Sequence, residues 1–146
     1  MTAENHFGLE HEALTQQIIR CAIDVHRQLG PGLLESTYEA CLLHELVQAG
    51  LNVERQPDLP VVYKGMRIDA GYRIDLLVEG TVIVELKSVD KLAPIHEAQL
   101  ITYLRLSNMP VGLLFNFNTR VLKDGLIRRA NTRSSLPALR DLRGEQ

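Results

Sequence analysis

Asp75, Glu85 and Lys87 are the residues whose types and spacing are best suited to chemistry. They stand in Arg73-Ile-Asp-Leu-Leu-Val-Glu-Gly-Thr-Val-Ile-Val-Glu-Leu-Lys-Ser88, where an apolar run ends in Glu-Leu-Lys. Alternate residues of a strand share a face, so Glu85 and Lys87 project with Ile83, while Val82, Val84 and Leu86 point the other way. Setting a carboxylate and an ammonium on one face of so apolar a strand is costly unless the charges are paired or bind a metal.

The turn before this strand sets the geometry. A three-residue loop, Glu79-Gly80-Thr81, would place Asp75 directly opposite Glu85 on one face. A two-residue Glu79-Gly80 turn would put the carboxylates on opposite faces unless a bulge restored the phase. The three-residue loop, or a bulge, is expected. Carboxylates that close repel one another, so a proton or a cation must intervene. Oxygen-only ligands favour a hard cation, Mg²⁺ or Mn²⁺, and the Leu86 backbone carbonyl could complete the shell. Lys87 could orient or deprotonate an attacking water and offset developing phosphate charge. The plainer alternative is a Glu85–Lys87 surface pair on an edge strand, because acid-x-Lys alone is common.

Other residues add context to this set. Glu35 opens a helical stretch and shares a face with Tyr38 and Leu42, so it is expected to look inward, as a third acidic group of the metal site or as a charge favoured by the helix dipole. Further on, Gln99 and Tyr103 are spaced i, i+4. Gln99 could orient water or contact a phosphate, or simply be satisfied against the sheet edge. Tyr103 suits a core position. His26, His44 and His96 lack zinc-site spacing, and there is no Walker loop, dinucleotide fingerprint or serine elbow.

The elements that must position these residues follow from periodicity. Helices are expected over 10–29, stopped by Gly30-Pro31-Gly32, over 34–48, and from Pro94 to about Leu106. Strands are expected over 59–63, 68–78, 82–87 and 111–117, with a weaker one over 121–128 and a poorly ordered tail after Asn131. The order is helix-helix-strand-strand-strand-helix-strand-strand, an α/β (α+β) sheet flanked by helices.

The 146 residues fit one domain, 1–146, with a core over about 10–130 and a tail over 131–146. No apolar run approaches the ~20 residues of a membrane span, and the first residues lack a signal-like segment, so no membrane role and a cytoplasmic location are expected. Two cysteines, Cys21 and Cys41, form no Cys-x-x-Cys pair, which argues against a disulfide scaffold or zinc cluster. The net charge of −2 is not that of a polycation, but residues 118–146 hold seven Lys/Arg against three Asp/Glu. That basic end could contact phosphates or be merely solvated.

Gly32-Leu-Leu-Glu35-Ser-Thr-Tyr38 resembles the signature of the GxxExxY protein family. The resemblance continues through Tyr63-Lys-Gly65, Asp75-Leu-Leu-Val, Val84-Glu-Leu-Lys87, Ala98-Gln-Leu-x-x-Tyr103-Leu and Val111-Gly-Leu-Leu-Phe-Asn-Phe117. That family is similar to the PD-(D/E)XK nuclease superfamily. The resemblance implies a restriction-endonuclease-like mixed sheet flanked by helices, with an αβββαβ core after an extra N-terminal helix. It further implies Asp75 and Glu85 as metal carboxylates, Lys87 as catalytic lysine and Glu35 as the helical acid, acting directly or through water. Gln99 and Tyr103 resemble the superfamily's Gln-x-x-x-Tyr element, with Tyr38 in support. Ile74 stands where proline often precedes the aspartate. The implied activity is Mg²⁺- or Mn²⁺-dependent hydrolysis of nucleic acid, DNA ahead of RNA, with a homodimer or a partner protein helping to hold the substrate. Two alternatives stay open: a non-catalytic nucleic-acid-binding or protein-interaction module on the same fold, and a purely structural salt-bridge cluster.

Overall fold

In the computed structural model, residues 11–132 are described. The apolar stripe of the first helix, α1 (Glu12–Leu29), buries Ile18, Ala22 and Val25. It ends at Gly30, whose φ of 70° suits a residue without a Cβ. Residue 10, where this helix was expected to begin, lies outside the described residues, as does the tail from residue 133. The second helix, α2 (Glu35–Gln48), turns Tyr38, Leu42 and Leu46 into the core.

Among the described residues, seven strands follow: β1 (Val53–Arg55), β2 (Val61–Tyr63), β3 (Met66–Ile68), β4 (Leu76–Val78), β5 (Val82–Lys87), β6 (Val111–Asn116) and β7 (Leu126–Ala130). The third helix, α3 (Pro94–Ser107), connects β5 to β6, and a short 3₁₀ turn, Leu122–Gly125, precedes β7. Five strands form one mixed sheet in the order β1-β4-β5-β6-β7, with β5 and β6 parallel and the other pairs antiparallel. A parallel pair needs a crossover, and α3 supplies it. This is the restriction-endonuclease-like mixed fold that the sequence implied.

Two expectations are corrected. The run 59–63 is not the sheet's first strand; Val53–Arg55, with one half-buried apolar residue, takes that place. The run 68–78 is not continuous either. Gly71 with φ 81° breaks it, and Met66–Ile68 pairs with Val61–Tyr63 in a separate two-stranded arm. With the arm set aside, β1, β4 and β5 are the three strands of the αβββαβ order. The weaker strand expected over 121–128 is the 3₁₀ turn followed by β7.

The sheet's two faces hold separate cores. Val82, Val84, Leu86, Leu113, Phe115 and Phe117 pack on α1 and α2. Leu77, Ile83 and Leu114 pack on Leu100, Tyr103 and Leu104 of α3. Ile83 marks the face shared by Glu85 and Lys87, so the charged end of β5 opens on the α3 side. Helix α3 lies close at Gly112, where an added Cβ would stand 2.7 Å from Leu100 Cδ1. Gly112→Val is expected to destabilise the protein by about 1–3 kcal/mol through overpacking, read as a lower urea midpoint at unchanged m-value.

Candidate active site

The β4–β5 hairpin closes through Glu79-Gly80-Thr81, with Val78 paired to Val82, Leu77 to Ile83 and Leu76 to Val84. Glu79 and Gly80 both adopt positive φ, and Thr81 N–H donates to the Val78 carbonyl at 3.0 Å. The register continued by one step sets Asp75 opposite Glu85, the three-residue phase expected from the sequence. Beyond Leu76↔Val84, side chains take over backbone donors. Asp75 N–H donates to Glu85 Oε2 at 2.8 Å, and Leu86 N–H donates to Asp75 Oδ2 at 2.8 Å. Each carboxylate thus holds the backbone beside its partner with one oxygen. No described residue donates to the remaining oxygens, Asp75 Oδ1 and Glu85 Oε1, and neither is a buried orphan.

Burial dominates the electrostatics. Desolvation raises Glu85, which is 6% exposed, to about 8, with the Asp75 charge as the next cause. Desolvation likewise raises Asp75 to about 6, against the Leu86 N–H that favours its charged form. Lys87 favours ionisation of both, but a buried carboxylate, Glu85, and a half-buried one, Asp75, face one half-buried ammonium. A divalent cation meets that deficit, and two free carboxylate oxygens suit a hard one. Asp75 and Glu85 therefore fit such an ion.

Helix α2 approaches from the opposite side of the sheet and corrects one expectation. Glu35, at its first position, is exposed rather than inward-facing. Glu39, one turn on, is the buried acid, 5% exposed. It accepts hydrogen bonds from Arg55 Nε at 2.9 Å and Gln56 Nε2 at 3.1 Å. Gln56 N–H in turn donates to the Asp75 carbonyl at 2.9 Å, so this cluster braces the strand that carries Asp75. The charges of Glu39 and Glu35 both disfavour ionisation of Asp75, that of Glu39 more strongly. Glu39 was legible in principle, because it lies three residues before Leu42 and seven before Leu46 on the buried stripe. Arg55 and Gln56 carried no such signal. Among the described residues, no three of His, Cys, Asp or Glu converge on one cation site, so the two hairpin carboxylates are not joined by Glu35.

Tyr38 is a brace. Its hydroxyl donates to the Gly30 carbonyl and accepts from Leu33 N–H at 3.1 Å, and its ring stacks on Phe117 at 4.6 Å. Ser88 Oγ ties the same loop to the end of β5 by donating to the Leu33 carbonyl at 2.6 Å. Asn116, buried and unmarked in the sequence, donates to the Val89 carbonyl and accepts from Val89 N–H, fixing the chain after Lys87. His26 contacts the Thr119 carbonyl and His96 Nδ1 accepts from Ala93 N–H, so both have structural partners.

On α3, Gln99 Nε2 donates to the Tyr103 hydroxyl at 3.2 Å. Tyr103 is raised by burial and then by the charges of Glu85 and Asp75, which places its hydroxyl within their field. Lys87, Gln99 and Tyr103 line one groove of about 590 Å³. The structure thus brings Asp75, Glu85, Leu86, Lys87, Gln99 and Tyr103 to one end of the sheet, with Glu35 at the start of α2.

A family model of the PD-(D/E)XK nuclease superfamily matches residues 12–130. The chain belongs to the PD-(D/E)XK nuclease superfamily. No curated protein and no solved structure matches it. PD-(D/E)XK nucleases typically use divalent metals, and the hairpin carboxylates of this member are the chemically suitable ligands. None of its helices is long and apolar enough to cross a membrane among the described residues.

The raised carboxylates fix a sign for pH. Both folded-state values lie above the ordinary ones, so their contribution to stability is fully present below about pH 4 and is lost as pH rises through about 6 and about 8. In chelator, the melting temperature is expected to fall across that window in the wild type and to fall less in Asp75→Asn. Added Mg²⁺ is expected to raise it more at about pH 8 than at about pH 6. A companion pair separates the two α2 acids: both charges raise Asp75, so Glu39→Gln is expected to lower the transition near 6, and Glu35→Gln to lower it less.

Proposed function

We propose that this single domain is a divalent-metal-dependent nuclease of the cytoplasm, hydrolysing phosphodiester bonds in nucleic acid, DNA ahead of RNA. The observation that carries the reading is the pair Asp75–Glu85 in a PD-(D/E)XK member: a half-buried and a buried carboxylate, each with one oxygen tied to the backbone and one left over, beside Lys87 on one face.

Asp75, Glu85 and the Leu86 carbonyl would hold Mg²⁺ or Mn²⁺. Such an ion supplies charge stabilisation at a phosphoryl oxygen and lowers the pKa of a bound water. The chain's own groups do the rest. The backbone N–H groups of Asp75 and Leu86 hold the Glu85 and Asp75 carboxylates in place. The Lys87 ammonium lies on the same face, where it contacts the scissile phosphate and orients the attacking water. The Gln99 amide, steadied by the Tyr103 hydroxyl, contributes a further donor to that water or to an adjacent phosphate oxygen. Glu35, exposed at the head of α2, acts through water. Tyr38 keeps the Gly30–Leu33 loop in position below the site.

A second reading, a non-catalytic nucleic-acid-binding or protein-interaction module, draws on the absence of a third converging acid among the described residues. No feature of the described residues supports the expected homodimer.

Incubating the protein with single-stranded, duplex and branched DNA and with RNA in Mg²⁺ or Mn²⁺ separates the readings. Cleavage is expected to stop in chelator and to fall by at least about a hundredfold in Asp75→Asn, Glu85→Gln and Lys87→Ala, consistent with loss of a principal electrostatic group. Gln99→Ala is expected to be milder. Cleavage indifferent to Asp75→Asn and Lys87→Ala would show that the activity lies elsewhere.

A further inference from the structure

The groove that begins at Lys87 runs away from the carboxylates along α3. Helix α3 forms one wall with Ile95, Gln99 and Leu106, and Tyr72 with Val61 of the two-stranded arm forms the other. Large apolar groups are uncovered along it: Ile95 is 69% exposed, Tyr72 48% and Leu106 37%. Singly such residues are ordinary, but here they line one concave surface of about 590 Å³. The Tyr72 and Tyr103 rings meet edge-on at 6.4 Å, so each wall of the groove contributes an aromatic ring.

We infer that this groove receives unpaired nucleobases of a single strand whose adjoining phosphate lies at Lys87 and the hairpin carboxylates. Three observations select this occupant. The groove and the proposed catalytic face are continuous, since Lys87 and Gln99 belong to both. Its lining is mostly apolar and aromatic, which suits base faces and is hostile to the phosphates that a duplex presents outermost. Its polar groups are few: no carboxylate or arginine lines it and Lys87 is its one lysine, as base edges beside one phosphate require. The substrate class is therefore single-stranded, flapped or frayed nucleic acid, with base stacking on Tyr72 holding the strand.

This inference rests on the nuclease reading for what lies at the Lys87 end, and its test is separable from it. Fluorescence anisotropy in chelator, where cleavage is silent, compares a thymidine oligonucleotide, an abasic backbone of equal length and a duplex. The thymidine strand is expected to bind at least about tenfold more tightly than either of the others. Tyr72→Ala and Ile95→Ala are expected to weaken it by about five- to a hundredfold, with Tyr72→Phe retaining binding because the ring remains. Both positions are exposed, and unchanged melting temperatures confirm folding of the variants. Equal binding of the abasic backbone or the duplex, or no binding of the strand, overturns the inference. So does light scattering that shows a dimer dissociated by Tyr72→Ala, which makes the groove an interface between copies. Asp75-dependent cleavage of an abasic strand as fast as of the normal one would sink the base groove while leaving the nuclease reading intact. Base-dependent binding without Asp75-dependent cleavage would do the reverse.

Discussion

The reciprocal grip of Asp75 and Glu85 across the β4–β5 hairpin is the constraint around which the rest of the molecule is arranged. Two carboxylates are brought side by side in a poorly solvated place, where ionising both is unfavourable. The fold tolerates this because each accepts a backbone N–H and because the strand end at Lys87 brings an ammonium to the same face. Strain of this kind persists only where the surroundings over-determine it. Here the surroundings are the Glu79-Gly80-Thr81 loop, which fixes the phase, and the Gln56 N–H that holds the Asp75 carbonyl.

The two faces of the sheet contribute differently to that site. The α1–α2 side is a sealed core in which Tyr38, Phe115 and Phe117 are fully buried, and from it Glu39 braces the Asp75 strand through Arg55 and Gln56. The α3 side is close-packed at Gly112, but from Ile95 to Leu106 the helix also lines a groove against the arm. The rigid layer sets the positions of the charged groups, and the open layer leaves room for a substrate. The separation of tasks follows from parity along β5: Val82, Val84 and Leu86 go to one side, and Ile83, Glu85 and Lys87 to the other.

Glu39 modifies the picture of the helical acid. A buried carboxylate at this point raises the cost of ionising the hairpin pair, and Arg55, about half exposed, offsets its charge only in part. The result is a site whose metal-free form favours retained protons and whose charge deficit suits a cation. Glu35, with its side chain in solvent, lies outside that balance except through its longer-range charge.

Local pattern was enough for the elements whose signal is periodic and strong. The apolar run Val82–Lys87, the proline-started α3, the Gly30-Pro31-Gly32 break and the odd-length turn at Gly80 all follow from short-range sterics and burial, and they carry Asp75, Glu85, Lys87, Gln99 and Tyr103. Short strands with one apolar residue have no such signal. Val53–Arg55 is a strand because β4 offers it an edge, and the run 68–78 divides because Gly71 lets the chain leave the sheet for the arm. The choice between Glu35 and Glu39 was likewise beyond local pattern, since the two lie one turn apart on similar faces. Which one is buried depends on how α2 sits over the end of β1, where Arg55 and Gln56 supply the partners that burying a carboxylate requires. Side-chain type and parity along the chain thus specified the chemistry of the site. Its depth, its braces and the groove beside it arose from long-range packing, because burial is a property of what surrounds a residue.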